Sequence, residues 1–325
     1  MPEDRGQHRF STVFLPGRGG TGNGEEAVEH RTFGKIVAAL RREQFDFASG
    51  HSWSQQQLAE ATGLTARIVG KIERGEQARL DGEILQGLAR AFELTSFERR
   101  EFFAMASEVT EAGLVRATLG DEGVFGQVWR LLDTLCAPAF LMDPFADIIG
   151  VNRALLAFHD LSLAQLRATR TAGGGANNLV LLLAPGAPLR RMLGRGWRPI
   201  ALANVQQWRA MTLRYRHTPR YRRLFTSLCA YPDFQRLWAD SHEDGHDDYS
   251  LLRSYSYLHG AHGPVAYTVF TNTSLSAYGD LYLSTFVPQD RETTVLFQEL
   301  AGKSGQALSL APWPGAGLAR GARGG

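Results

Sequence analysis

Apolar positions along this chain repeat first with a helical period and later with a period of two. Phe33, Ile36, Val37 and Leu40 fall on one face of a first helix. A second starts at Ser54, where Gln57 three residues on completes a Ser-x-x-Gln capping pattern, and Gly63 breaks it. Thr65 caps a third that runs to Arg74 and stops at Gly75. Asp81 opens a fourth, with Ile84, Leu85, Leu88 and Phe92 on one side. Ser96 opens a fifth holding Phe97, Phe102 and Phe103. Short helices in such close succession predict an all-α domain over residues 31–107.

After a linker over 108–120 the character changes. Val124, Val128, Leu131 and Leu132 predict one helix. Ala139–Met142 and Ile148–Val151 then read as short strands around Asp143-Pro144-Phe145. A long helical, arginine-rich middle follows. The last third holds three strands, Leu252–His259, Val265–Thr271 and Leu281–Val287, the first two joined by the turn His262-Gly263-Pro264. Strands at both ends with helices between them predict an α+β domain over 121–302. Residues 1–30, with the glycine-rich Gly17–Gly24, and residues 303–325 show no apolar period and are expected to be disordered tails. No repeat recurs at a period of 20–50 residues.

The second and third helices make a unit with a mechanical logic. A helix ending at Gly63, a tight turn and a second helix cross steeply. Ala59 is small enough to let them approach, while Leu58, Leu64, Val69 and Ile72 supply a shared core. The later helix then projects Ala66, Arg67, Gly70 and Lys71 outward, where such helices meet base edges.

This stretch resembles the Cro/repressor (XRE-like) helix-turn-helix family. The resemblance rests on Gln55, Leu58-Ala59, Gly63, Thr65, Ile72-Glu73 and Gly75, and extends to Leu88-Ala89. It implies double-stranded DNA as partner, base contacts from Ala66, Arg67, Gly70 and Lys71, and phosphate contacts from Gln55, Thr65 and Arg74. Arg67 has the fork geometry that clamps guanine O6 and N7. Glu73 is expected to be structural, pairing with a nearby arginine or the next helix's amides. Phe45–Ser52 is longer than the family's usual turn and is expected to tilt the first helix or add a backbone contact.

Two short strands across a turn, then Asn152 at the start of a helix, open the second half as PAS-like sensor domains do. With Asn177-Asn178-Leu179 and Tyr231-Pro232-Asp233-Phe234 following in order, the segment resembles the ligand-binding domain of MmyB-like transcription regulators. That resemblance implies a cavity between sheet and helices for a small apolar or fatty-acyl ligand. Val265, Tyr267 and Val269 share one strand face. They are the candidate ligand contacts; the same stripe also reads as plain packed core.

Composition narrows the remaining classes. The 325 residues suggest two domains, and a net charge of +2 says little about partners. Cys136 and Cys229 form no paired motif and read as reduced thiols. No apolar run approaches the ~20 residues that span a bilayer, and Phe10–Pro16 is too short for a signal core, so a cytoplasmic protein is expected. No nucleophile elbow, phosphate loop or dinucleotide fingerprint occurs, and no cofactor or metal is expected. His242–Asp248 reads as an acidic loop rather than a metal site. Between Leu161 and Pro232 there is no Asp or Glu, yet twelve arginines from Arg167 to Arg223 occur. A solvated surface matched by later acids, an auxiliary DNA-backbone contact and an anchor for an acidic ligand all fit this stretch. A ligand-responsive regulator acting as a homodimer is the reading that results; a DNA-binding head on an enzymatic or purely dimerising second domain is the alternative.

Overall fold

The structure is a computed structural model that describes residues 22–46, 51–77, 80–108, 121–171, 175–241, 252–274, 280–302 and 307–311. The N-terminal part is all-helical: α1 (Gly22–Glu43), α2 (Gln55–Thr62), α3 (Ala66–Arg74), α4 (Gly82–Ala91) and α5 (Ser96–Glu108). The predicted caps are in place at Ser54, Thr65 and Asp81, each accepting a backbone N–H three residues on. Gly63 and Gly75 close α2 and α3 in the left-handed region, at φ 71° and 70°. The cap of α5 is Thr95 rather than Ser96. Its hydroxyl accepts from Glu98 N while the Glu98 carboxylate accepts from Thr95 N, a reciprocal box set one residue earlier.

Phe33, Ile36, Val37 and Leu40 of α1 pack with Leu58, Val69, Ile72, Leu88, Phe92 and Phe102 in one buried cluster. The close passage of α1 over α3 needs a glycine. A Cβ on Gly34 would lie 2.5 Å from the Ile72 carbonyl oxygen. The long segment before α2 forms a small hairpin of β1 (Phe45–Asp46) and β2 (His51–Ser52). Helix α1 begins at Gly22, so part of the expected glycine-rich tail is helical.

The second part starts with α6 (Asp121–Thr134), β3 (Ala139–Met142), β4 (Asp147–Val151), α7 (Arg153–Phe158), α8 (Leu163–Ala168) and β5 (Ala176–Asn177). There follow α9 (Asn178–Leu183), α10 (Pro188–Leu193), α11 (Trp197–Met211), α12 (Pro219–Cys229) and α13 (Pro232–Asp240). Strands β6 (Leu252–His259), β7 (Gly263–Ser274) and β8 (Leu281–Pro288), helix α14 (Arg291–Gly302) and strand β9 (Leu308–Ser309) complete it. The sheet runs β5-β4-β3-β8-β7-β6, antiparallel throughout, with β9 also on β4. The β3–β4 hairpin thus lies beside the last long strand, β8, a PAS-like arrangement with its helices inserted between the two halves of the sheet. Part of the expected C-terminal tail belongs to the sheet: β9 pairs with β4, and Leu310 is buried. The alternation of Leu308 and Leu310 supplies an inward stripe too short to stand out from the composition around it.

Asn152 welds the start of this domain. Its Oδ1 accepts from Ala139 N and Leu155 N while its amide donates to the Ala137 carbonyl, so one side chain caps α7 and pins β3. Asn177 repeats the device, capping α9 and donating to Asp147 and Phe145.

The two parts meet through α5, α1, α11 and the 3-10 turn Leu213–Tyr215. Leu213 is fully buried and belongs to the cluster of the N-terminal helices. Among the described residues no helix is long and apolar enough to cross a membrane.

Candidate functional site

The outward face of α3 carries the predicted DNA-reading residues in graded exposure. Arg67 and Thr65 are exposed, and Ala66 and Lys71 are half-buried. Gly70 is buried, because Gln55 and Arg74 lie over it: a Cβ there would sit 3.4 Å from Gln55 Oε1 and 3.1 Å from Arg74 Nη1. These are ends of flexible side chains, so Gly70 is covered in the free protein by groups expected at phosphate. Glu73 holds this corner together. Its carboxylate accepts from Arg41 Nε at 2.6 Å and from the Gln55 amide at 2.7 Å, tying α1, α2 and α3. The structural role expected for Glu73 is thereby located, and its arginine is Arg41 of the first helix. Arg74 is exposed and pairs with Glu76 at 2.7 Å.

In the second domain a narrow cavity of about 70 Å³ lies between the sheet and the inserted helices. Tyr267 and Val269 of β7 line it together with Phe286 of β8; Val265 is buried on the same face but belongs to the core beyond the cavity. Leu155, Leu182 and Ile200 form the helical wall. Tyr267 and Phe286 stack nearly parallel with centroids 4.7 Å apart, and the Tyr267 and Tyr257 hydroxyls lie 3.1 Å apart. Polar groups enter at the margin: His159, Asn178, Asn204, Gln207 and Arg253. No sequence pattern singled out these five as a set, since they are gathered from the end of α7, α9, α11 and β6, and only Asn204 and Gln207 share a helix.

His159 is buried with Nδ1 unbonded among the described residues. Burial, with His259 and His262 nearby, lowers it to about 3, so the imidazole is neutral.

A second space of about 280 Å³ adjoins the cavity, sharing Gln207, Arg253 and Thr271 with it. Phe97, Arg100 and Glu101 of α5 form its other side. The Arg253 guanidinium sits 5.5 Å from the Phe97 ring centroid. The margin of the cavity therefore borders on the helix that closes the DNA-binding head.

The arginine-rich stretch divides into groups that the sequence did not separate. Arg190 pairs with Asp233, and Arg198 with Asp240 at 2.7 Å, as matching by later acids predicts. Arg220 instead contacts Asp143 at 2.5 Å and Asp147 at 2.7 Å, with its guanidinium 4.0 Å from the Phe145 centroid. Burial pushes the Asp143 carboxyl up to about 6 despite Arg220. Arg209 and Arg216 are buried and reach back to the head, both onto Glu98 of α5, and Arg216 also onto Glu43 of α1 at 2.7 Å. Burial alone would raise Glu98; Arg216, Arg209 and the Thr95 amide hold it down at about 2. Matching by later acids thus fails for these three, whose partners lie upstream. The His242–Asp248 loop lies outside the described residues, as do 1–21, 109–120 and 312–325 of the expected tails and linker.

A family model described as helix-turn-helix matches residues 51–98, across α2, α3 and α4. A second, described as the MmyB-like transcription regulator ligand binding domain, matches residues 125–300 and spans the sheet with its inserted helices. No curated protein matches the chain. With the caps, the crossing at Gly34 and the sheet order all in agreement, the chain belongs to the MmyB-like transcription regulators, a DNA-binding helix-turn-helix joined to their ligand-binding domain.

Proposed function

We propose that this protein is a cytoplasmic, homodimeric transcription regulator whose DNA binding responds to a small apolar or fatty-acyl ligand in the second domain. The domains are taken as 31–107 and 121–302. Base reading falls to Ala66, Arg67, Gly70 and Lys71, and phosphate contact to Gln55, Thr65 and Arg74. Ligand contact falls to Tyr267 and Val269, with Val265 supporting them from behind. The observation that carries this reading is the apolar cavity whose margin, through Arg253 and Gln207, borders on Phe97 of α5. A ligand that regulates must bind two states unequally, and a site at the joint between head and sensor has the means to do so. The dimer follows from the two-fold symmetry of typical operators.

Sites for drug-sized ligands run roughly 300–1,000 Å³. The cavity is far smaller, so an acyl chain enters only as the lining side chains give way. That small volume also favours a second reading, in which this face is packed core and the domain serves dimerisation. Native mass spectrometry of purified protein, with solvent extraction, separates the two. A stoichiometric apolar compound whose affinity shifts when duplex DNA is added supports sensing. In the same assay Val269→Trp fills the space, abolishes the response and leaves basal DNA binding intact. Absence of any compound, together with a Val269→Trp variant that unfolds, returns the face to packed core.

A further inference from the structure

Beside the recognition helix lies an open notch of about 350 Å³ built from both domains. Lys35 and Arg42 of α1, Gln55 and Arg74 of the helix-turn-helix, and His217 and Arg222 of the second domain line it. Its charge is lopsided. The carboxylate at its edge, Glu73, is already engaged by Arg41 and Gln55. Among the described residues no acid pairs with Lys35, Arg42 or Arg222, and all three are exposed. Arg222 donates one hydrogen bond, to the His217 carbonyl at 2.8 Å, which leaves the rest of its planar fork open. Like charges held together without a counter-charge raise the local potential, and this suits a polyanion better than a protein surface.

Position names the polyanion. Gln55 and Arg74 are the two side chains that lie over Gly70 of α3. A duplex seated on that helix therefore passes the mouth of the notch. Helix α12 is not free to swing away from it. Arg216, just before α12, is buried between Glu98 and Glu43, and Leu213 is buried in the core of the head.

We infer that the second domain touches DNA directly, with Arg222 holding a backbone phosphate of the duplex that α3 reads. The inference rests on the DNA-binding reading of the head and adds to it a contact from outside the helix-turn-helix. Arg220 and Arg223 have no part in this: Arg220 is held by Asp143 and Asp147, and Arg223 lines a different hollow with Leu224 and Tyr231.

The test uses the full chain and a random-sequence 30-base-pair duplex, with binding followed by fluorescence anisotropy across a salt series. Each phosphate contact contributes about 0.9 to the slope of log affinity against log salt. Arg222→Gln is expected to lower that slope by about 0.9, while Arg223→Gln leaves it unchanged. An Arg222→Gln slope equal to wild type, or an equal fall in Arg223→Gln, overturns the inference while the wild-type chain still binds. A wild-type chain that binds no duplex overturns both the inference and the DNA-binding reading beneath it.

Discussion

In α3 the side chains proposed to meet DNA are mostly exposed or half-buried, and the helix satisfies its own backbone through caps at Thr65 and Gly75. In the cavity Tyr267 and Phe286 are buried, and their positions depend on strands and helices far apart in the chain. A recognition helix must display polar groups that find their partners only in the complex, so its residues contribute little to holding the fold. A cavity wall must be nearly a core, so its residues carry stability and selectivity together. Substitutions on α3 should separate binding from folding, whereas substitutions at the cavity tend to mix them. The joint between the two belongs with the cavity: Glu98, Arg209 and Arg216 are buried charges whose removal is a folding event first.

The sharpest way to break this contrast is at Glu98. Glu98→Ala leaves buried Arg209 without its carboxylate and Arg216 with Glu43 alone, and loss of one partner of a buried ion pair costs about 3–5 kcal/mol. Urea unfolding followed by circular dichroism should show an unfolding free energy lowered by that amount. A loss below about 1 kcal/mol would mean that water reaches the joint and that the domains are not locked by it.

Next in size is Arg67→Ala. Its side chain is exposed on α3, so the unfolding free energy should stay within about 0.5 kcal/mol of wild type. Affinity for a selected operator should fall by about 1–3 kcal/mol and preference relax at one base position. Selection of binding sites from random duplexes, run on both proteins, reads this directly. Unaltered preference would move base reading off this residue.

The smallest effect, taken per pH unit, is a pH dependence. His159 titrates near 6.5 when unfolded and at about 3 when folded, because burial disfavours the imidazolium. The unfolded chain therefore binds the extra proton over this window, and stability present above pH 6.5 is lost as pH falls towards 3. The loss from this one group approaches about 1.4 kcal/mol per pH unit within the window. His159→Phe should have a flatter acid limb than wild type, measured as the difference between the two unfolding midpoints from pH 7 to pH 4. Parallel limbs would place His159 in contact with water.

The head was largely legible because its signals are local. Caps at Ser54, Thr65 and Asp81 and stops at Gly63 and Gly75 act within a turn of helix, so residue order alone encodes them. The longer strands of the sheet were legible for a similar reason, as apolar or alternating runs of a few residues bounded by turns. The cap at Thr95 was misread by one position because Ser96 offers the same chemistry, and only the reciprocal bond with Glu98 separates them. Helix α14 and strand β9 were missed; β9 has only two residues, and α14 turns Thr293, Phe297 and Leu300 inward, so one of its three buried positions is polar.

What the sequence by itself determined, then, is the helices of the head, the longer strands of the sheet, their order and the residues that α3 turns outward. The tertiary structure alone decided which arginine meets which acid. Arg209 and Glu98 are 111 residues apart, and nothing in either neighbourhood marks them as partners. The same holds for the cavity, whose wall gathers Leu155, Ile200, Val269 and Phe286 from four elements. A cap is fixed by bonds among residues a few positions apart. A buried pair or a cavity wall is fixed by where whole elements come to rest, and that follows from the sum of all their contacts rather than from any stretch of sequence.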